Sequence, residues 1–284
     1  MCALAGVTRS GYYNWVRSDD ARTKRELRDK SDFALILDAY HHRGYAKGAR
    51  GIYMRLRHQG IRMNLKKIRR LMHKFGLFCP IRKANPYRRM ARAMRTNAVA
   101  DNHVKREFRM HGPRKILLTD ITYIPFNHQF CYLSVIKDAF TEQVLSYVPS
   151  ESLELDFVLE TMEQLILKHG ITFETDMLIH SDQGCHYTSI KFRELLKDHG
   201  IRQSMSRRGN CWDNAPQESF FGHMKDELSE KAQTWKEFSD VCASIDDWME
   251  YYNNERYQWG LEKLSPNQYY NYITTGYNPL SEKE

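Results

Sequence analysis

Three acids stand where packing alone gives them little reason to be. Asp120 interrupts the apolar run Ile116-Leu117-Leu118, Asp182 follows Met177-Leu178-Ile179, and Glu218 sits one turn into a helix-forming stretch. Carboxylates brought together repel unless a cation neutralises them. Mg²⁺ suits that task because it is hard and is satisfied by a few carboxylates, water and phosphate oxygens. Two such ions, roughly 3.5–4 Å apart, activate an attacking oxygen and stabilise a leaving one in phosphodiester chemistry. Each acid also has a plain reading: Asp120 as a strand-side acceptor, Asp182 as a turn former before Gln183-Gly184, Glu218 as a charge favoured at a helix N-terminus. Spacing does not separate the two.

The elements that would have to position these acids are legible. From 116 onward the pattern is β-rich, with runs at 116–126, 130–140 and 143–150, the first two separated by only three residues as in a meander of hairpins. A helix is predicted over 153–170, a fourth strand at 176–182, a helix over 189–200, a short fifth strand at 201–205, and a helix from 215 to 230. Three antiparallel strands followed by alternating helix and strand predict a mixed α/β sheet with helices on both faces. If the first and fourth strands are neighbours, the three acids meet at one rim.

Upstream the reading is helical. Residues 23–42, 49–60 and 64–76 have apolar spacing of about 3.6, with Asn64 as N-cap and Gly60 and Gly76 as stops. The third helix places Leu65, Ile68, Leu71, Met72 and Phe75 on one stripe and is expected to turn Lys66, Lys67, Arg69 and Arg70 outward. Two short helices joined by Gln59-Gly60-Ile61-Arg62-Met63 read as a helix-turn-helix, whose second helix enters a DNA groove; a solvated basic helix in a small bundle is the plain alternative. The domains expected are a helical DNA-binding region at 1–78, a basic linker at 79–115, an α/β catalytic core at 116–230 and a helical extension at 231–284.

The net charge of +8 conceals a division. Residues 1–115 hold 29 Lys+Arg against 8 Asp+Glu, a net +21, and the remainder holds 14 against 27, a net −13. A segment that basic points to a polyanion, and nucleic acid fits because each neutralised phosphate releases counterions. No apolar run nears the roughly 18 residues of a membrane helix, and the start lacks a signal peptide's apolar stretch, so a cytoplasmic protein is expected. The six scattered cysteines form no C-x-x-C pair and predict reduced thiols rather than a zinc site.

Taken together, Thr119-Asp120-Ile121-Thr122-Tyr123, the stretch from His180 to Ser189, the stretch from Ser206 to Glu227, and the 35 residues between Asp182 and Glu218 resemble the IS-three family of bacterial insertion-sequence transposases. The stretch from Tyr251 to Tyr270 is similar to that family's C-terminal signature. The resemblance implies a ribonuclease-H-like integrase core of the DDE group preceded by an all-α helix-turn-helix region. It assigns catalysis and metal binding to Asp120, Asp182 and Glu218, with two Mg²⁺ ions and Mn²⁺ able to substitute. It implies binding of terminal inverted repeats, 3′-end cleavage and strand transfer, a homodimer or higher oligomer on DNA, and an upstream-frame product as fusion or partner. Lys225, two helical turns beyond Glu218, matches a position that contacts element-end DNA. Arg207 and Arg208, just before the Glu218 helix, suit phosphate contact. Thr122, Asn210 and Asn214 lie near the acids in sequence, and Trp212 reads as a packing residue. Leu117 stands where many relatives have Trp, and Gln258 where many have His. Two other functions fit a chain of this kind: a non-catalytic repressor of its own element, or a ribonuclease-H-like nuclease that cuts without requiring specific ends.

Overall fold

The structure is a computed structural model that describes residues 2, 5–80, 104, 111–170, 177–206 and 214–281. The chain divides into two compact units, residues 1–80 and residues 81–282.

The first unit contains α1 (Arg9–Arg17), α2 (Asp19–His41), α3 (Ala49–His58) and α4 (Leu65–Lys74). Asn64 begins α4 as its type predicts, with Oδ1 accepting from Lys66 N–H at 2.8 Å. Gly76, at φ +67°, follows its end in a conformation that costs glycine little. The stripe Ile68, Leu71, Met72 packs with Ile36 and Ala39 of α2 and Ile52 and Leu56 of α3, and Phe75 stacks on Phe33 at 4.3 Å. Fully burying each such Ile or Leu is worth roughly 1.5–3 kcal/mol, more than a surface ion pair supplies, so this core fixes how α4 is rotated.

Of the four basic side chains expected to face outward, Lys66, Arg69 and Arg70 are exposed and Lys67 is half-buried. Lys67 pairs with Asp32 at 2.5 Å, and Arg70 grips Asp29 through both terminal nitrogens at 2.8 and 2.7 Å. Lys74 also reaches Asp29, at 2.9 Å. Residues 67, 70 and 74 share the flank of α4 that faces α2, where Asp29 and Asp32 lie one turn apart.

In the second unit, β1 (Ile116–Phe126), β2 (Gln129–Asp138) and β3 (Val144–Ser150) form the antiparallel meander, and α5 (Asp156–His169) leads to β4 (Leu178–Ser181). Next come α6 (Cys185–Thr188), α7 (Ile190–Asp198), β5 (Arg202–Met205), α8 (Ala215–Leu228), α9 (Phe238–Asn254) and α10 (Pro266–Thr275). The sheet order is β3-β2-β1-β4-β5, with β4 parallel to both β1 and β5. This is the mixed sheet of an integrase-like core, and the first and fourth strands are neighbours. Alternation along β1 sends Leu117 into a core with Val158, Met162, Leu165 and Phe192 from α5 and α7. Leu118 and Asp120 face the other way, toward α8.

The 79–115 stretch read as a linker is described only at 79, 80, 104 and 111–115, and part of it packs into the second unit. Val104 lies in a cluster with Ile116, Leu118, Ala139 and Leu178. Arg114 is buried, its backbone N–H donating to Asp138 Oδ2 at 3.2 Å and its guanidinium 4.6 Å above the Tyr270 ring. The C-terminal helices are likewise stitched to the sheet: the Asn253 side chain bonds the backbone N–H and C=O of Val144 at 3.0 and 2.8 Å.

Candidate active site

β1 and β4 run parallel, so their C-terminal directions coincide and Asp182 emerges beside Asp120. A parallel strand end is where open α/β sheets gather ligand-binding groups. Asp120 is half-buried; Ile121 N–H donates to its Oδ1 at 2.8 Å and Asn214 Nδ2 to its Oδ2 at 2.9 Å. Burial first, and then the negative charge of Asp182 and of Glu218, push its carboxyl up to about 8, against the partial relief of those two hydrogen bonds. Asp182 and Glu218 are therefore each within electrostatic reach of Asp120.

Asp138 shows what a structurally satisfied acid looks like here. It is wholly buried at the end of β2 and accepts from Phe140 N–H, Thr141 Oγ1 and Arg114 N–H at 3.0, 2.8 and 3.2 Å. Burial raises its pKa too, but the charge of Arg114 opposes the shift and no other acid adds to it. Asp120 differs in having two acidic neighbours.

Asp182 also fulfils its plain reading: Oδ1 accepts from Gly184 N–H at 2.9 Å, an Asx turn. A Cβ added at Gly184 would stand 2.9 Å from that same oxygen, so glycine gives the carboxylate its room. Glu218 is exposed in the first turn of α8. Lys225, on the same face of α8, is exposed; surrounding protein lowers its pKa and the charge of Asp120 pulls it back up. Thr122 is buried two residues beyond Asp120 on the same face of β1. Arg207, Arg208, Asn210 and Trp212 lie outside the described residues.

The donors are all carboxylate oxygens, which fits a hard divalent cation. Among the described residues, no three His, Cys, Asp or Glu side chains converge tightly enough to hold a single ion. Asp182 and Glu218 each act electrostatically on Asp120; the described residues do not form a finished coordination shell.

Sequence reasoning missed how the Glu218 helix is pinned. Gln217, fully buried, directs Nε2 at the carbonyls of Leu118 and Val135 at 3.4 and 3.3 Å. Lys137, buried beneath α8, bonds Glu142 at 2.6 Å and the Pro216 carbonyl at 3.3 Å. At the other end Glu227 accepts from Trp248 Nε1 at 2.9 Å and from Arg256 Nε at 3.0 Å. A lysine inside the apolar run Ser134-Val135-Ile136-Lys137 was the one available signal; a lone Gln or Glu on a helix gives none.

Family models match the chain twice in this unit, both as "Integrase core domain", over residues 110–211 and 199–266, and once upstream as "HTH-like domain", over 26–85. The protein assigned as transposase InsK of insertion sequence element IS150 from Escherichia coli is 33% identical over 83% of this chain and 81% of its own length. A transposase-like protein of Haemophilus influenzae is 34% identical over 74% and 94%. The transposase of insertion sequence element IS904 from Lactococcus lactis is 31% identical over 90% and 98%. Among solved structures, the catalytic core domain of BIV integrase is 18% identical and covers 57% of this chain and 97% of its own, with a TM-score of 0.45. On its matched domains and its relatives, the chain belongs to the IS-three family of insertion-sequence transposases.

Proposed function

We propose that the chain is a DNA transposase that binds the terminal inverted repeats of its element, cleaves the 3′ end of one strand and directs the freed hydroxyl at a second phosphodiester. The observation that carries this reading is Asp120, whose carboxyl is pushed up to about 8, by burial first and then by the charges of Asp182 and Glu218, beside the parallel β1–β4 pair. Keeping three acids together costs a non-catalytic binder stability and gives it nothing, which disfavours the repressor reading.

Asp120, Asp182 and Glu218 are the residues that would hold Mg²⁺ or Mn²⁺, two ions in all. A cation bound there would supply charge stabilisation for phosphodiester chemistry. The chain's own contribution is placement. β1 and β4 fix two carboxylates on rigid strands, Gly184 keeps space for the second, and Gln217 and Lys137 fix the helix that carries the third. Lys225, on the Glu218 face, suits a phosphate of the end being processed, as do Arg207 and Arg208. In the first unit the exposed Lys66 and Arg69 of α4 suit contact with DNA. A pair of ends calls for at least two copies on DNA, and an upstream-frame product would act as fusion or partner.

The test is a supercoiled plasmid carrying two matched ends, incubated with Mg²⁺ or Mn²⁺. Nicking and joining that Glu218→Gln abolishes supports the enzyme; products unchanged by that substitution would refute it. Equal cutting of plasmids without the ends would favour the ribonuclease-H-like nuclease.

A further inference from the structure

Asparagine is among the residues best suited to begin a helix, because its Oδ1 accepts from the second or third backbone N–H. Asn214 occupies the N-cap of α8 and makes no such bond. Its side chain turns instead to β1, where Nδ2 donates to Asp120 Oδ2 at 2.9 Å. Its backbone carbonyl accepts from Gln217 and Glu218 N–H at 3.1 and 3.2 Å, so helix start and acid site are joined through one residue. Asn214 is 7% exposed, and its Oδ1 is buried with no hydrogen-bond partner among the described residues. With Asp120 ionised, as it would be around a cation, the reversed amide would set acceptor against acceptor. A helix that forgoes its cap and keeps an orphaned buried acceptor bears two costs at one point. Such costs concentrate where function requires them.

We propose that Asn214 is a positioning residue of the acid site: its amide N–H holds the Asp120 carboxylate in place at the start of the Glu218 helix. This rests on the strand-cleavage reading above.

Asn214→Ser and Asn214→Ala separate this role from a structural one. Serine caps helices as well as asparagine does, so in EDTA the serine variant is expected to have a Tm equal to the parent's or about 2 °C above it. Alanine removes no cap that exists, so its Tm is expected within about 2 °C of the parent's. In both, Mn²⁺ binding read by electron paramagnetic resonance without DNA is expected to weaken about tenfold, and plasmid cleavage to fall by a similar or larger factor. Parental Mn²⁺ affinity and cleavage in both variants would overturn the proposal, as would a Tm fall of several degrees in the serine variant. Glu218→Gln run in parallel keeps the two readings apart: if it is inactive while the Asn214 variants behave as the parent, only the role of Asn214 fails; if it is active, the strand-cleavage reading fails as well.

Discussion

Asp29 and Asp120 are the same residue type put to opposite uses in the two units. Asp29, 3% exposed, is enclosed by Arg70 and Lys74, whose hydrogen bonds hold its carboxyl well below the usual carboxylate range. Asp120 meets two further acids, and burial with their charges pushes it up to about 8. The first acid ties two helices together and is finished once the protein folds. The second costs the folded protein stability at neutral pH, and that cost has a use only if a cation is to be held. Acids at cross purposes with folding mark the working site; acids matched to bases mark the scaffold.

The largest effect that would sharpen this contrast is on chemistry. Asp120→Asn, Asp182→Asn and Glu218→Gln should each lower end cleavage by about 10³-fold or more, the several kcal/mol a metal site contributes to the transition state. Binding of element ends, measured by gel shift in EDTA, should stay near the parental value. Loss of binding in all three would mean that the acids support structure rather than chemistry.

Next comes stability, where the two aspartates should respond with opposite signs. Asp29→Asn takes the charged partner of Arg70 and one of the two acids paired with Lys74, and should lower the melting temperature of the first unit by several degrees. Asp120→Asn relieves repulsion and should raise the metal-free Tm of the second unit at pH 8. The pH profiles follow the same division. Because the folded pKa of Asp120 lies above the unfolded value near 4, the native state binds more protons between about pH 4 and 8. Metal-free stability of the second unit should therefore fall as pH rises through that window. The folded pKa of Asp29 is depressed, so its contribution is present above pH 4 and is lost as pH falls below the usual carboxylate range. Calorimetry from pH 3 to 9 in EDTA checks both; a flat profile for Asp120→Asn beside a sloping parent would locate the effect.

Within α4 the split is finer. Lys66→Ala and Arg69→Ala should weaken end binding by roughly 1–3 kcal/mol where a base is read, or reduce the salt slope by about one where a phosphate is, with Tm unchanged. Lys67→Ala and Arg70→Ala should act first on Tm, because their partners are Asp32 and Asp29. The reverse pattern would exchange the two stripes. The smallest effect is expected of Gly184→Ala: its Cβ would crowd Asp182 Oδ1, which should reduce cleavage with little change in Tm.

Much of this was readable from the chain. Strand β1 was placed at 116–126 as observed; whether the first and fourth strands are neighbours was left open by the sequence, and the structure pairs them in parallel. On α4, periodicity gives the buried stripe and the exposed Lys66, Arg69 and Arg70, but not that Lys67 and Arg70 meet acids on another helix; that depends on how α2 and α4 pack. Arg114 and Val104 read as linker because they sit in a basic, proline-containing stretch, and only tertiary contacts reveal that both are buried. Asn214 was visible as a nearby polar residue. That it turns from its helix toward Asp120 is a choice between two hydrogen bonds, and composition does not encode it.

The most direct measurement is the divalent-cation dependence of the second unit's Tm at pH 8, for the parent and for Asp120→Asn, Asp182→Asn and Glu218→Gln. A saturable rise with Mn²⁺ in the parent, lost or greatly weakened in each variant, is the result expected if the three acids form one cation site. A rise of equal size and midpoint in all four proteins would contradict it.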